Sequence, residues 1–395
     1  MRPPRRTTRP SRARTCATSS ATRWADRGER AVVGGGIGGL SATLALRQAG
    51  VEVDLVEKDA EWSVHGVGII QPGNALRALD RLGVAEECVA QGHPMTGMRS
   101  WTADGETLLR ADEFPPAVEG LPPNNGITRR RLHDILVAAA RKSGARIRTG
   151  VTTSAVEPGT GDVGFSDGTT GAYDLVVGAD GLYSPLRARL FGVRAKFTGQ
   201  VAWRYNLPRI PDLDRLWVYR GSRGTAGFVP LAPDLMYMLT IEKVPEGAPV
   251  RLPREGLAAE YRRRLAEYGG AVAEHRDLVR DDAEVVYRPV DNVLLPAPWH
   301  RGKVLLIGDA AHGTSPHCGQ GGAQAIEDGV VLAEEIAGGA PVEQVLDAFM
   351  RRRFERCRTV VEGSERIGRW EQDHTLDIDP DAVAHAVTTA AMAPL

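Results

Sequence analysis

The sequence predicts an α/β fold in which a parallel sheet is interrupted by an antiparallel sheet and followed by C-terminal helices. Three stretches predict it. Residues 31–58 are typical of strand, glycine turn, helix and second strand, residues 196–243 read as alternating, aromatic-rich strands, and residues 303–307 are an apolar run followed by helical patterns. The expected segments are a disordered basic extension (1–28), the first part of the α/β domain (29–195), an antiparallel sheet domain (196–295), the return of the α/β domain (296–340) and a helical region (341–395).

The first unit carries Gly34, Gly36 and Gly39 in the pattern G-x-G-x-x-G, between a strand and a helix. The first glycine permits a sharp turn, the second lets the backbone approach a pyrophosphate, and the third lets the helix pack closely on the sheet. The free N–H groups and the dipole at the helix N-terminus favour phosphate. The second strand closes on Glu57, at the spacing of a carboxylate that binds an adenosine ribose hydroxyl. The unit therefore predicts binding of NAD or FAD.

A second copy of the glycine pattern, in residues 159–164, lies among turn residues and is followed by a strand-like stretch rather than a helix. We interpret it as a hairpin loop without a phosphate role.

Composition and charge exclude several classes of partner. The formal charge of the 395-residue chain is −1, and residues 1–28 hold eight arginines, so the remainder is mildly acidic and gives no reason to expect nucleic acid. The four cysteines are far apart, without metal spacing, which favours a reduced cytoplasmic setting. No apolar run reaches the roughly 18 residues of a membrane span. Residues 1–28 resemble a transit peptide in composition, but we expect a dispensable extension.

Two aspartates follow predicted buried strands. Asp309 comes directly after the run 303–307, at the sheet edge where open α/β sheets bind ligands, and an N-cap role is the alternative. Asp180 follows the strand 174–177, and Asp-Gly is also an ordinary turn dipeptide. The glycines of residues 319–322 open a helix whose exposed N–H groups would favour negative charge on an aromatic cofactor.

Three separated segments together resemble the single-component FAD-dependent monooxygenases, the aromatic hydroxylases of the p-hydroxybenzoate hydroxylase type. They are GGGIGGL (34–40), VVGADGLYSPLR (176–187) and LLIGDAAHGTSPHCGQGGAQAIED (305–328), in the family's order. The resemblance implies a Rossmann-like FAD-binding domain with an inserted antiparallel substrate-binding sheet. It also implies that Gly308 and Asp309 meet FAD, that Asp180 is associated with FAD and the nicotinamide nucleotide, and that Arg129 contacts the flavin nucleotide. The candidate cofactor-binding residues are Gly34, Gly36, Gly38, Gly39, Glu57, Lys58, Arg129, Asp180, Gly308, Asp309, Gly319, Gly321 and Gly322.

The same resemblance points to a substrate site. It implies that the Pro316 region faces the reacting side of the flavin and that Trp203-Arg204 lies on the first strand of the second sheet. Some hydroxylases have Tyr there to help deprotonate a phenol, which Trp cannot do because its indole only donates. His317 is then the first candidate for the activating base, with structural hydrogen bonding as the alternative, and we expect Trp203 and His317 to form opposite pocket walls. The candidate catalytic residues are His317, Pro316 and Trp203, and the candidate substrate contacts are Trp203, Arg204, Tyr219, Tyr237 and His317; either tyrosine is equally compatible with the core.

The expected function is an FAD-dependent monooxygenase. NADH or NADPH reduces FAD, O2 adds to give a C4a-hydroperoxide, and one oxygen atom is transferred to a small phenolic or heteroaromatic substrate. No second nicotinamide-binding βαβ unit is apparent, which fits transient docking of NAD(P)H. The alternatives are a halogenase, epoxidase or reductase on the same fold, or a flavin-binding sensor without turnover. The halogenase signature W-x-W-x-I-P is absent, the Asp180 and Asp309 segments disfavour a nicotinamide dehydrogenase, and we expect a monomer or homodimer.

Overall fold

The computed structural model describes residues 29–64 and 66–395, together with the backbone of residues 23–25. The strands are β1 (Arg23–Ala25), β2 (Arg30–Val33), β3 (Val53–Glu57), β4 (Gly68–Pro72), β5 (His93–Met95), β6 (Gly97–Thr102), β7 (Leu108–Glu113), β8 (Asn124–Thr128), β9 (Arg146–Thr149), β10 (Thr153–Glu157), β11 (Asp162–Phe165), β12 (Thr170–Ala172), β13 (Leu175–Gly178), β14 (Lys196–Pro208), β15 (Leu216–Arg220), β16 (Gly224–Pro230), β17 (Leu235–Lys243), β18 (Val286–Asn292), β19 (His300–Arg301) and β20 (Val304–Leu306).

The helices are α1 (Ile37–Gln48), α2 (Gly73–Arg81), α3 (Ala85–Gln91), α4 (Arg129–Lys142), α5 (Pro185–Phe191), α6 (Leu257–Leu265), α7 (Gly270–Arg276), α8 (Asp309–His312), α9 (Gly321–Ala337), α10 (Val342–Gln372) and α11 (Pro380–Met392), and a 3₁₀ turn covers Pro316–Cys318. Among the described residues, no helix combines the length and the apolar composition that crossing a membrane requires.

The predicted parallel sheet has six strands in the order β19-β20-β13-β2-β3-β9. All neighbours pair in parallel except the edge strand β19, which pairs antiparallel with β20. Its central strands are apolar runs because helices cover the sheet, and Val32, Leu55, Val177 and Leu305 are fully buried. Strands β2 and β20 both end at one edge, so the turns that follow them lie close together.

The predicted antiparallel sheet has seven strands in the order β18-β14-β17-β16-β15-β6-β7. We expected its strands within residues 196–295, but β6 and β7 come from the first part of the chain, and β6 pairs in parallel with β15. One face of this sheet packs against α6 and α7 around an aromatic core. The other face is turned toward the turns of the parallel sheet.

Two smaller sheets complete the α/β part. The strands β10 and β11 form an antiparallel hairpin around residues 159–164, so the second glycine pattern is a hairpin loop as predicted. Strand β1 pairs in parallel with β12, so the expectation of a wholly disordered extension is wrong for Arg23–Ala25. The rest of that expectation, for residues 1–22 and 26–28, lies outside the described residues. The other small sheet has the order β4-β8-β5.

Candidate functional site

A cavity of about 1210 Å³ lies between the carboxyl edge of the parallel sheet and the open face of the antiparallel sheet. On the first side its wall contains the glycine turn after β2, Glu57 at the end of β3, the residues around β13's end, and residues 307–309 after β20. On the second side it contains apolar residues of β15, β16 and β17. Helix α11 and the end of α10 also line it. A large, mostly apolar cavity at such an edge is the expected place for a bound cofactor and substrate.

The glycine turn after β2 packs closely at two glycines and leaves open space beside a third. A Cβ on Gly34, where φ is +109°, would lie 2.3 Å from the carbonyl oxygen of Ala179, and one on Gly39 would lie 1.9 Å from the carbonyl oxygen of Gly34. These two glycines therefore allow close backbone packing. A Cβ on Gly36 would meet no atom within 4 Å, and Gly36 and Gly38 both line the cavity. The space beside Gly36 is open on the side where helix α1 begins.

Glu57 lies at the cavity with both oxygens bonded to backbone. Its Oε2 accepts from the Gly35 N–H at 2.7 Å and its Oε1 from the Asp59 N–H at 2.8 Å, which fixes the carboxylate beside the glycine turn. Lys58 is exposed and is not part of the cavity wall. Sequence reasoning missed Trp62, whose Nε1 donates to the Gly35 carbonyl at 2.8 Å and whose ring lines the same end of the cavity. No sequence motif marks Trp62, because its position at the cavity depends on the conformation of the loop after β3.

Asp309 is the first residue of the single-turn helix α8. Gly308, with φ of +58°, occupies the N-cap position, and no side chain caps this helix. The Asp309 carboxylate is exposed at the cavity wall, so the N-cap alternative does not describe it. Its position leaves the carboxylate available to a ligand's hydroxyl groups.

A buried ion-pair network supports the Gly308 turn from below. The Gly308 N–H donates to Asp328 at 2.8 Å, His312 Nε2 lies 2.7 Å from the same oxygen, and Arg353 Nε donates to the other oxygen at 2.8 Å. Burial alone would lower the pKa of His312, but the neighbouring Cys357 and Asp328 raise it. Burial alone would raise the pKa of Asp328, but His312 and Arg353 lower it. Cys357 lies against the same group. Because these polar atoms already bind one another, the cluster is a structural support of the turn.

The segment that follows brings the second glycine-rich turn to the cavity. The 3₁₀ turn at Pro316–Cys318 ends at Gly319, where φ is +63°, and α9 then begins at Gly321. Every residue from 316 to 322 lines the cavity. Gly322 packs closely on Ile69, since a Cβ there would lie 2.6 Å from the Ile69 Cδ1. The free N–H groups of a second helix N-terminus therefore face the same cavity as those of α1.

The other two predicted cofactor residues differ in position. Arg129, at the start of α4, lines the cavity and its Nε lies 3.4 Å from the carbonyl oxygen of Gly68. Asp180 does not line the cavity, although its neighbours Ala179 and Gly181 do. Its Oδ2 accepts from the Leu186 N–H at 3.1 Å, its Oδ1 is buried without a hydrogen-bond partner among the described residues, and burial raises its pKa. The structure thus places Asp180 behind the wall, where it holds the start of α5.

His317 lines the cavity and is held at both ring nitrogens. Its Nδ1 lies 2.8 Å from Ser315 Oγ and its Nε2 lies 3.0 Å from Glu371 Oε2. Glu371, on α10, also accepts from Thr225 Oγ1 at 2.7 Å and Gln200 Nε2 at 3.0 Å. Because a carboxylate only accepts, Nε2 carries a hydrogen, and the neutral ring then accepts the Ser315 hydroxyl hydrogen at Nδ1.

Glu371 is the functional candidate that sequence reasoning missed. Burial alone would raise its pKa, but His317, Thr225 and Gln200 hold the pKa of this carboxyl below its ordinary value. Only 8% of its side chain and 2% of that of His317 are exposed. The ring can lie against α10 because residue 368 is glycine, where a Cβ would be 2.8 Å from His317 Cε1. No motif joins positions 54 residues apart, so only the packing of α10 reveals the pair.

Two of the predicted substrate residues lie on the cavity side of the antiparallel sheet. Tyr237 lines the cavity, and Arg204 stands directly opposite Leu239, another wall residue, in the register of β14 and β17. Burial lowers the pKa of Arg204 and raises that of Tyr237, and each is among the other's electrostatic neighbours. Among residues 29–64 and 66–395, no acidic side chain forms an ion pair with Arg204. A buried guanidinium without a carboxylate partner favours an anionic or ionisable ligand nearby.

The prediction that Trp203 forms a pocket wall is wrong. Its indole points to the opposite face of β14, stacks on Tyr261 at 5.3 Å between ring centroids, and donates from Nε1 to Glu242 at 3.0 Å. Tyr219 belongs to the same core and stacks on Trp101. Both residues alternate with wall-facing neighbours, so the period of two in a strand places them away from the cavity.

Comparisons with known proteins agree with this geometry. Residues 29–364 match the family described as the FAD binding domain. The chain is 32% identical over 352 residues to 2-heptyl-3-hydroxy-4(1H)-quinolone synthase of Pseudomonas aeruginosa, covering 86% of this chain and 89% of the relative. It is 31% identical over 358 residues to a 3-amino-4-hydroxybenzoate 2-monooxygenase of Streptomyces platensis, with coverages of 86% and 87%. The crystal structure of Klebsiella pneumoniae HpxO complexed with FAD and uric acid has a similar fold, with a TM-score of 0.79, 24% identity and coverages of 93% and 97%.

Proposed function

This chain belongs to the FAD-binding-domain family of monooxygenases of the aromatic hydroxylase type, and from that premise we propose that it hydroxylates a small phenolic or heteroaromatic substrate with NADH or NADPH as electron donor. FAD is its cofactor, and the bound FAD supplies the redox and oxygen chemistry. The chain's own residues bind and orient the two partners, exclude water and move protons.

The cavity fits a dinucleotide with a second ring system at its far end. The open space beside Gly36 and the start of α1 suit the pyrophosphate, and we expect the Glu57 carboxylate to accept a hydrogen bond from an adenosine ribose hydroxyl. The exposed carboxylate of Asp309 suits sugar hydroxyls. The N–H groups at the start of α9 would face the ring system and favour negative charge on it.

The observation that carries the substrate proposal is the chamber under the antiparallel sheet. Its wall contains Tyr237 and apolar residues of three strands, and Arg204 lies on the same face without an acidic partner in the part of the chain that the structure describes. A flat ring would pack on the apolar wall while an ionised oxygen or a carboxylate approached the guanidinium. The substrates in the printed names of the two relatives, a quinolone and an aminohydroxybenzoate, are also rings that carry ionisable oxygen.

The substrate's proton is taken up by Ser315 and His317, and Glu371 stabilises the charge that results. Both ring nitrogens of His317 are occupied, so we infer that the substrate hydroxyl gives its proton to Ser315 Oγ while the Ser315 hydrogen passes to His317 Nδ1. The resulting imidazolium would be stabilised by the Glu371 carboxylate at Nε2, and the substrate oxygen would become an anion. An ionised hydroxyl makes the ring richer in electrons, which is the state that accepts an electrophilic oxygen.

The test is NAD(P)H oxidation with product analysis over a panel of phenolic and heteroaromatic acids. We expect at least one compound to stimulate NAD(P)H oxidation and to gain one hydroxyl group. His317→Ala should retain FAD reduction but release hydrogen peroxide instead of product, whereas His374→Ala, which removes an exposed histidine outside the cavity wall, should remain coupled. Stimulated oxidation without a hydroxylated product for any compound would contradict the proposal.

A further inference from the structure

Helix α11 forms one wall of the cavity on the side of the antiparallel sheet. Its first half supplies Pro380, Asp381, Ala384 and His385 to that wall. We call residues 380–385 the gate segment. The helix follows a loop, residues 373–379, that leads from the end of α10.

The C-terminal end of α11 is firmly attached to the α/β part. Arg77 donates to the carbonyl oxygens of Met392 and Ala393 at 3.0 and 2.8 Å, and Arg356 donates to those of Ala391 and Ala393 at 2.7 and 3.0 Å. These arginines therefore satisfy the last carbonyl groups of the helix. The helix also packs on α10, where a Cβ at residue 363 would lie 2.3 Å from the Val387 Cγ2.

The N-terminal end is joined to the antiparallel sheet by one carboxylate. Asp381 accepts from Arg220 Nη2 at 2.5 Å and Nη1 at 3.4 Å, and its Oδ1 lies 3.0 Å from Arg110 Nη1. Arg110 also pairs with Asp112 at 2.5 Å, whereas Arg220 pairs with no other acid in the part of the chain that the structure describes. All four side chains line the cavity and between 22% and 43% of each is exposed.

We propose that the gate segment opens and closes the substrate side of the cavity, and that the ion pairs of Asp381 with Arg220 and Arg110 hold it closed. A helix bound tightly at one end can release the other end when the partly exposed ion pairs there break and Val383 leaves its contact with α10. A hydroxylating site needs this motion, because substrate must enter and water must be excluded while the oxygen is transferred. Only this requirement for opening and closing rests on the proposed function.

Opening also changes the charge of the entrance. In the closed arrangement Arg110 and Arg220 are balanced by Asp112 and Asp381. When Asp381 moves away, Arg110 keeps Asp112 and Arg220 loses its carboxylate, so the sheet side of the entrance gains one positive charge. The open entrance therefore attracts anionic aromatic compounds, and this attraction weakens as salt rises.

The test measures access of neutral acrylamide to bound FAD in the FAD-loaded protein, by quenching of flavin fluorescence. Asp381→Asn keeps the side-chain shape and removes the charge, and we expect the quenching constant to rise about threefold to tenfold, the range for losing partly exposed ion pairs. The matched control is Asp379→Asn, which removes the same charge from the same helix end but preserves the cap that Asp379 forms with the N–H groups of residues 381 and 382. This control should match the wild type.

Arg220→Gln tests the other side of the same contact and should raise the quenching constant by only part of the effect of Asp381→Asn, because the pair between Arg110 and Asp381 remains. The double variant should show no further increase over Asp381→Asn. Equal quenching in Asp381→Asn and Asp379→Asn, or additive effects in the double variant, would overturn the proposal. Because quenching needs no turnover, a failure to find a hydroxylated substrate leaves this result intact, so the two proposals fail separately.

Discussion

Replacing Glu371 by Gln isolates the charge beside His317. The amide carbonyl can take the place of Oε2 and accept from Gln200 and His317, while the amide NH2 faces Thr225, whose hydroxyl accepts as well as donates. The substitution therefore preserves shape and hydrogen bonds. What it removes is the negative charge that would stabilise a protonated His317.

The size of the effect follows from the 3.0 Å separation of Nε2 and Oε2. At an effective dielectric constant near 20 the bare attraction is about 5–6 kcal/mol, an upper limit. Because a neutral hydrogen bond remains, the net loss is about 1.5–3 kcal/mol, the range for hydrogen bonds to charged groups. We expect product formation to slow by about 10- to 150-fold, with most NAD(P)H then yielding hydrogen peroxide.

The assay measures product and peroxide per NAD(P)H oxidised, across pH, for wild type, Glu371→Gln and Thr225→Val. The control removes one bond to Glu371 Oε1 and leaves the His317 contact, so it should stay within a few-fold of wild type. FAD content should be nearly equal in all three at neutral pH. Unchanged coupling and an unchanged pH profile in Glu371→Gln would refute the proton path through His317.

The other predictions concern the cofactor turn, the strand end, the core and acid stability. Gly36→Val should abolish FAD retention without lowering apoprotein stability, since no described atom lies within 4 Å of its Cβ. Gly39→Ala should destabilise the apoprotein, because its Cβ would lie 1.9 Å from the Gly34 carbonyl oxygen. Flavin absorbance and melting curves distinguish the two effects. Asp309→Ala should weaken FAD affinity by tenfold or more and leave apoprotein melting unchanged, and equal losses in both would contradict a ligand role. Trp203→Phe should cost about 1–3 kcal/mol of unfolding free energy, because buried Glu242 loses the indole N–H donor, while hydroxylation stays coupled to NAD(P)H oxidation. More hydrogen peroxide at unchanged stability would instead indicate that Trp203 contacts the substrate. Because the pKa of Glu371 is lowered in the folded state, its charge stabilises the fold above the ordinary carboxyl pKa of 4.5. This contribution is lost as pH falls through the folded-state pKa. The melting temperature should therefore fall more steeply with acid in wild type than in Glu371→Gln.

The sequence predicted the cofactor half of the site better than the substrate half, and the reason is local. The turns at Gly34 and Gly308 need glycines within a few residues of a strand end, so the requirement is written in consecutive positions. One face of β14 packs against α6 and α7 and the other faces the cavity, so neither face is open to bulk solvent. Alternation along the strand therefore could not decide whether Trp203 or Arg204 faces the cavity. For the same reason the sequence could not decide which of Tyr219 and Tyr237 lines the cavity.

Glu371 and Asp381 could not be found from sequence because their partners are distant. Each lies on a C-terminal helix and gains its role only when that helix crosses the antiparallel sheet. Strands β6 and β7 were not predicted in this sheet for a similar reason, since the pairing of β6 with β15 joins residues more than 100 positions apart and β7 pairs only with β6 in that sheet. Local patterns assign a strand, but they do not choose its neighbour.

The recruitment of β6 and β7 has a consequence for how this protein is made on the ribosome. When residues 1–195 have emerged, β6 still lacks its partner β15, and the parallel sheet still lacks β20. The antiparallel sheet is complete only when residue 292 has been synthesised and the parallel sheet only when residue 306 has, and α10 and α11 follow later still. The nascent chain therefore carries open strand edges through most of its translation, a period in which a holdase chaperone has something to bind. Splitting the gene at residue 195 would leave two fragments, each with an unpaired edge, rather than two independent domains.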